Sequence, residues 1–198
     1  MEYAISIFLG IALAASCGFR AFVPLLVANI ASHIGLAHFS ADFAWMGSWI
    51  SFAIFLTATI VESGTYYVPW LDHALDLVSK PIAVVAGTLL AVSFLGDIDP
   101  TLKWILGIIA GGGTAGIVAA GTVAARAIST STTAGAGNFI VTSSENAAAV
   151  GFSILSFIIP VVMGIITIFL IVFSIFKISK WLTKRKRQTG SIHPEKIK

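Results

Sequence analysis

Charge is scarce in this 198-residue chain: 11% of its residues are Asp, Glu, Lys or Arg against 57% hydrophobic, and mean hydropathy is +0.96. That balance excludes a soluble globular domain. Cysteine is scarcer still. Cys17 stands alone, which excludes an intrachain disulfide framework and any multi-cysteine metal site. Catalytic signatures are missing too: there is no Ser-His-Asp spacing and no His-Glu-x-x-His. Gly111-Gly112-Gly113-Thr114-Ala115-Gly116 lacks the Gly-Lys-Ser/Thr ending that grips phosphates and lies in an apolar helix. Its small residues, like Gly10, Ala14 and Gly18, instead suit close helix approach. His33, His38 and His73 are too scattered for a local metal motif, and His193 lies in the tail. No catalytic residue and no metal ligand is assigned. Met1-Glu2-Tyr3 runs into apolar sequence without a positive region or a clear cleavage site before Gly18, which predicts a retained first helix, not a removable leader.

What charge there is lies unevenly. Eight of the twelve Lys and Arg fall in residues 177–198, whereas residues 1–176 hold Arg20, Lys80, Lys103 and Arg126 against eight acids, a formal balance of −4. A basic run directly after an apolar helix is held in the cytoplasm, and each residue gains roughly 1 kcal/mol from anionic headgroups near the surface. Residues 177–198 are therefore read as a basic cytoplasmic tail with anionic lipids as partners. No aromatic stacking platform accompanies the charges, so nucleic-acid binding is not expected.

A spanning helix needs about 20 apolar residues to cross roughly 30 Å of hydrocarbon. Segments of this kind run from Ala4 to about Cys17, Trp45 to about Val61, Pro81 to Phe94 and Trp104 to about Ala125, with a last run from Ala147 to Phe176. That last run would measure about 45 Å as one helix, so Pro160 is expected to kink or split it. Trp45, Trp49, Trp70, Trp104 and Trp181 lie near these ends, as headgroup-level rings do. The expected fold is an all-α, polytopic membrane helix bundle of about five spans in residues 1–176. Residues 18–42, 66–80 and 128–146 mix polar and glycine residues into apolar sequence and are expected to be interfacial, re-entrant or, for the last, an ordinary loop.

Shifting the chain by 106 residues aligns Gly10-Ile11 with Gly116-Ile117, Ala14 with Ala120 and Arg20-Ala21 with Arg126-Ala127. Each Arg closes an apolar helix and is followed by an acid, Glu62 or Glu145, and then by Pro81 or Pro160 opening another apolar run. With three crossings between counterparts, the pattern predicts two inverted-topology halves, 1–100 and 101–176, an architecture of many transporters. Ionisable groups in a bilayer cost roughly 2.5 to 3.5 kcal/mol each on insertion scales, so Arg20, Glu62, Arg126 and Glu145 need partners, water or an interfacial position. Two pairings suggest themselves: Arg20 with Glu145 and Arg126 with Glu62, or the same-half alternative. Either serves a structural clamp or an ion-coupling site, with Asn138 and Asn146 nearby in sequence as further polar candidates.

Asp72 and Asp76 are four apart and share a helix face, with His73 beside them. Paired carboxylates could hold Mg²⁺ with a phosphate-bearing substrate. The longer Asp-rich signature of membrane phosphotransferases is absent, and an interfacial helix with solvated acids reads equally from the spacing.

The order Gly18-Phe19-Arg20-Ala21-Phe22-Val23-Pro24-Leu25, then Glu62, Pro69, Asp72-His73, Asp76, Pro81 and Gly87, followed by Arg126, Gly137-Asn138 and Ser144-Glu145-Asn146, resembles the domain of unknown function 4126 family over roughly residues 5 to 170. The resemblance implies a small bacterial-type membrane protein and carries no established activity. The Asp-Lys pair that members often show after the counterpart of Glu62 is replaced here by Ser63-Gly64-Thr65-Tyr66-Tyr67.

These readings converge on a multi-pass protein of the inner membrane, with its C-terminus in the cytoplasm and, for an odd span count, its N-terminus outside. Its favoured function is a small transporter or channel-like protein for a small solute or ion, with a polar site between two repeats. The alternatives are a transferase acting on a lipid headgroup at Asp72 and Asp76, and a non-catalytic assembly or scaffold protein. No cofactor is expected, Mg²⁺ entering only with the transferase. A chain this short is compatible with assembly as a homodimer.

Overall fold

The computed structural model describes the backbone of residues 2–65, 69–96 and 98–190, and the side chains of 4–65, 78–96, 98–177, 179 and 180. The fold is all-α. Its helices are α1 (Glu2–Phe19), α2 (Phe22–His33), α3 (Trp49–Thr65), α4 (Pro69–Phe94), α5 (Pro100–Leu106), α6 (Gly113–Thr133), α7 (Asn138–Ile158) and α8 (Pro160–Gly190). A 3₁₀ segment, Ala41–Gly47, precedes α3, and a π-helical segment, Gly107–Gly112, joins α5 to α6.

A helix that is apolar on every side belongs in a protein core or in a bilayer. The first helix is such a case, and it lies at the centre, packed against α2, α4, α6, α7 and α8. Ala12, Leu13, Ala14, Ser16 and Cys17 are sealed from solvent in its middle. Small residues let α4 close on α1, where a Cβ on Gly10 would stand 3.2 Å from Ala91 Cα, and let α4, the π-helical segment and α6 close on one another. A Cβ on Gly111 would stand 2.5 Å from Ala91 Cβ and 2.6 Å from the Gly87 carbonyl oxygen, and one on Gly87 would stand 2.6 Å from Ala115 Cβ. No side chain fits between these backbones, and the helices meet at glycine distance.

Among the described residues, two helices are long and apolar enough to cross a membrane: the continuous stretch Pro100–Thr133, of 34 residues, and Pro160–Lys177, of 18. A third arises if the 3₁₀ segment and α3, bent by 61°, act as one span. The apolar helices Ala4–Phe19, Phe22–His33 and Val78–Phe94 are shorter. Large exposed apolar side chains such as Ile108, Ile109, Phe169, Val172 and Phe173 face outward on the long helices, and others such as Ile30, Val85 and Ile140 do so elsewhere.

Several boundaries differ from the sequence reading, each for a local reason. The stretch 18–42, expected to be interfacial or re-entrant, holds the short helix α2. Likewise, most of 128–146 is helix: α6 runs on to Thr133, Ala134 (φ 51°) and Gly135 (φ 90°) reverse the chain in left-handed geometry, and α7 begins at Asn138. Helix α5 starts at Pro100, four residues before the expected start, because the Asp99 carboxylate accepts from the Leu102 N–H at 3.0 Å and Pro100 supplies a pre-set φ. Pro81 does not open α4, which continues back through it to Pro69. Pro160 does open a helix: the backbone breaks at Ile159 (φ −135°, ψ 60°) and α8 starts at the proline.

At the periphery Lys103 Nζ bonds Ser40 Oγ at 3.1 Å and lies 3.5 Å from Asp42 Oδ2, tying α5 to the 3₁₀ segment.

Two glycines separated by one position in the continuous stretch Pro100–Thr133 test the packing argument. Gly111→Ala forces α4 and the π-helical segment apart and is expected to destabilise the detergent-solubilised protein by about 1–3 kcal/mol. Gly113→Ala, with nothing within 4 Å of the added carbon, is expected to leave the thermal midpoint unchanged or raise it.

Candidate functional site

The chain leaves α1 at Phe19 and enters α2 at Phe22, so Arg20 and Ala21 form the break. A helix start has orphan N–H groups, and an alanine at the cap position has no side chain to satisfy them. A residue from another helix does so. Glu62, near the end of α3, accepts from the Ala21 N–H at 2.9 Å and the Phe22 N–H at 3.1 Å, and Ser79 Oγ of α4 donates to it at 3.4 Å. The carboxylate sits where the α2 dipole is positive. Pro24 lacks an N–H, so the first turn needs fewer partners.

Arg20 turns the other way, toward α7, with 1% of its surface exposed. Its Nε donates to Asn146 Oδ1 at 2.7 Å, and one terminal nitrogen reaches the Thr142 carbonyl at 3.5 Å and Glu145 Oε2 at 3.3 Å. Glu145 also holds Arg126. That guanidinium meets the carboxylate as a fork, Nε to Oε1 at 3.1 Å and a terminal nitrogen to Oε2. Register explains the meeting. Arg126 lies eight residues before Ala134 and Glu145 eight after Gly137, so on antiparallel arms of one hairpin both sit about 12 Å from the turn. Two-point pairing of this kind fixes orientation as well as charge.

Arg20, Arg126, Glu145 and Asn146 therefore form one cluster joining the end of α1 to the α6–α7 hairpin. Glu62 lies apart from it, on the α2 start, so the arrangement combines one cross-half pair, Arg20 with Glu145, and one same-half pair, Arg126 with Glu145. Asn138 is also apart, at the hairpin tip, bonded to Thr130 at 3.1 Å. The side chains of Asp72, His73 and Asp76 lie outside the described residues. His33 stacks on Trp49 at 4.3 Å between ring centres. Among the described residues no three His, Cys, Asp or Glu side chains group as metal ligands.

Two cavities adjoin the two acids. One of about 430 Å³ lies between α1, α6, α7 and α8, and one of about 580 Å³ lies between α3, α4 and the start of α2. Glu145 is the one ionisable group among the described residues lining the first, and Glu62 holds that place in the second. The rest of each wall is mainly apolar, relieved in the first by Thr122, Ser144, Thr167 and Ser174. Sequence reasoning missed several participants: the Thr142 carbonyl, the α2 N–H groups, and Lys80, whose Nζ donates to Thr122 Oγ1 at 2.9 Å. Only the fold's register could reveal backbone partners. The hydroxyl spacing Thr167-Ser174 on an apolar helix is a signal that could have pointed to the cavity wall.

The family model of the domain of unknown function DUF4126 matches residues 7–180. The chain belongs to this family. The DUF4126 match takes in Arg20, Glu62, Arg126 and Glu145 and stops before the Lys184-Arg185-Lys186-Arg187 run. No curated protein and no solved structure matches the chain.

Removing the shared acid leaves two buried guanidinium groups without it, a loss that typically costs about 3–5 kcal/mol when a buried pair is broken. Glu145→Gln is therefore expected to lower unfolding stability in detergent by about that amount. Glu62→Gln, which weakens a cap, is expected to cost about 0.5–2 kcal/mol. Equal losses at the two positions would contradict the difference in their roles.

Proposed function

We propose that this DUF4126 member is a small transporter or channel-like protein of the inner membrane, and that its solute or ion site is the cavity walled by Glu145. One observation carries the reading. Glu145 is at once the partner of Arg20 and Arg126 and the ionisable group lining a 430 Å³ cavity between α1, α6, α7 and α8. A carboxylate placed this way can exchange a protein cation for a cargo cation or a proton, and such an exchange couples occupancy to the packing of three helices. The proposed two-half architecture rests on the 106-residue match in sequence, while the cluster itself is asymmetric, both matched arginines meeting Glu145 and Glu62 capping α2. In this reading the halves, 1–100 and 101–176, move against one another around the site.

The clamp is the second reading, and it also has an observation behind it: the same bonds tie α1, α6 and α7 together, as a non-catalytic assembly protein would require. Gly121 separates the two. It lines the cavity, and a Cβ there meets nothing within 4 Å, so Gly121→Leu fills the cavity without touching the ionic cluster. Proteoliposomes are given inward gradients of H⁺, K⁺ and protonated N,N-dimethylbenzylamine in turn, and current is recorded. Wild-type protein is expected to carry current with at least one of them, and Gly121→Leu to fall to the level of empty vesicles while keeping its thermal midpoint. Silence of the wild type with all three overturns the transport reading in favour of the clamp.

The basic tail supports a cytoplasmic C-terminus. Cys17 is buried, so a cysteine introduced by Lys198→Cys gives a clean probe. In intact cells a membrane-impermeant maleimide is expected to leave it unmodified, and to label it after permeabilisation.

A further inference from the structure

The cavity between α1, α6, α7 and α8 runs along α8 from Thr167 to Ser174, about 10 Å of helix. Its walls are small where no neighbour demands smallness. Gly87 and Gly111 are hemmed in by other helices, but a Cβ on Gly121 meets nothing within 4 Å, and Ala125 lines the same open space one turn further on. Both are exposed, so in a bilayer the gap faces lipid. Phe19 and Phe152 also line it, their ring centres 5.8 Å apart.

One end of this groove is basic. The apolar span of α8 ends at Lys177, about 4.5 Å along the axis from Ser174, and residues three apart are neighbours on a helix surface. The Lys177 side chain is exposed and meets no acid among the described residues. Lys180 is turned elsewhere: its Nζ lies 4.5 Å from the centre of the Phe176 ring, and Phe176 is about 200° around the helix from Ser174. Nor does the carboxylate in the wall oppose an anion. Glu145 is shared by the Arg20 and Arg126 guanidinium groups, so that cluster is net positive.

We propose that the groove holds one acyl chain of an anionic phospholipid whose phosphate sits on Lys177. The inference goes beyond the transport reading and does not rest on it. Each part of the lipid has its counterpart. The apolar wall takes hydrocarbon, and the volume of about 430 Å³ falls in the range of about 300–1,000 Å³ that small organic ligands occupy. Bulk lipid tails are as apolar as the wall, so apolar contact alone gives little preference for one lipid over another. Preference comes from the headgroup, because a lysine ammonium attracts phosphate as a point charge and an added choline cation offsets that attraction. A chain lying in the groove and a solute cannot share it, so the lipid is also a competitor for the cavity.

The test is photolabelling of full-length protein in phosphatidylcholine nanodiscs that carry a trace of phosphatidylglycerol with a diazirine in one acyl chain. Labelled peptides are mapped after illumination. Labelling of residues 117–125 and 167–174 is expected to fall when unlabelled phosphatidylglycerol replaces part of the phosphatidylcholine, while labelling at the outward-facing Ile108 and Ile109 stays constant. A phosphatidylcholine probe with the same chains is expected to label the groove about fivefold less relative to Ile108 and Ile109, the effect of one charge near the surface. Lys177→Gln is expected to lower the competed labelling by about the same factor. Gly121→Leu is expected to abolish it by filling the groove, with the thermal midpoint unchanged. Groove labelling that unlabelled phosphatidylglycerol does not reduce overturns the inference, as does equal labelling by the two probes. Wild-type competition in Gly121→Leu or in Lys177→Gln also overturns it, by placing the lipid on the basic tail at large. None of these outcomes depends on whether current is seen in proteoliposomes.

Discussion

The carboxylate of Glu145 is the point on which the bundle closes. Two guanidinium groups from distant parts of the chain are buried against it, one from the break after the central helix and one from the opposite arm of its own hairpin. Burying either arginine takes fixed partners of this kind, because an ionised group moved out of water must recover its solvation from them. Arg20 stands where the chain breaks after α1, and Glu62 caps the next helix from outside. The two acids thus divide the work: one fixes where the backbone turns, the other fixes where the side chain at the turn goes.

Close packing around α1 makes this arrangement rigid. Gly87 and Gly111 bring backbones to distances that exclude a side chain, and the π-helical segment lets α5 and α6 run as one element while facing α4 with its glycines. Apolar association alone gives little in lipid, where tails compete equally for contact, so dense contact and buried polar bonds must position the helices. The cavity beside Glu145 is a departure from that density. A wall of two aromatic rings, one carboxylate and scattered hydroxyls is unlike the glycine and alanine seams elsewhere in the core.

Much of this was legible in the sequence. Mean hydropathy and the segregated basic tail declare a membrane protein, and the cost of burying charge singles out Arg20, Glu62, Arg126 and Glu145 before any geometry is known. Pairing was less legible. Glu62 and Glu145 look equivalent in sequence, each following an Arg and preceding a proline, yet one meets backbone N–H groups and the other meets side chains. The difference depends on Ala21, whose small side chain leaves a helix start open, and on hairpin register, which places Arg126 and Glu145 at equal depth. The polar stretch at 128–146 misled for a related reason: Ser and Thr there bond back to carbonyls of their own helix, as Thr132 and Thr133 do, and so remain helical where composition suggests irregular chain.

The long reach of Arg20 bears on how the protein is made. Its partner Asn146 lies 126 residues further along the chain, and Glu145 beside it. Glu62, which caps the helix after the break, lies far nearer to Arg20 in the chain than α7 does. A chain cut short before residue 142 lacks the Thr142, Glu145 and Asn146 contacts of the cation at the end of its innermost helix. Burial of that charge against α7 therefore waits on the α6–α7 hairpin, so the innermost helix reaches its final surroundings only when a segment far along the chain has been made.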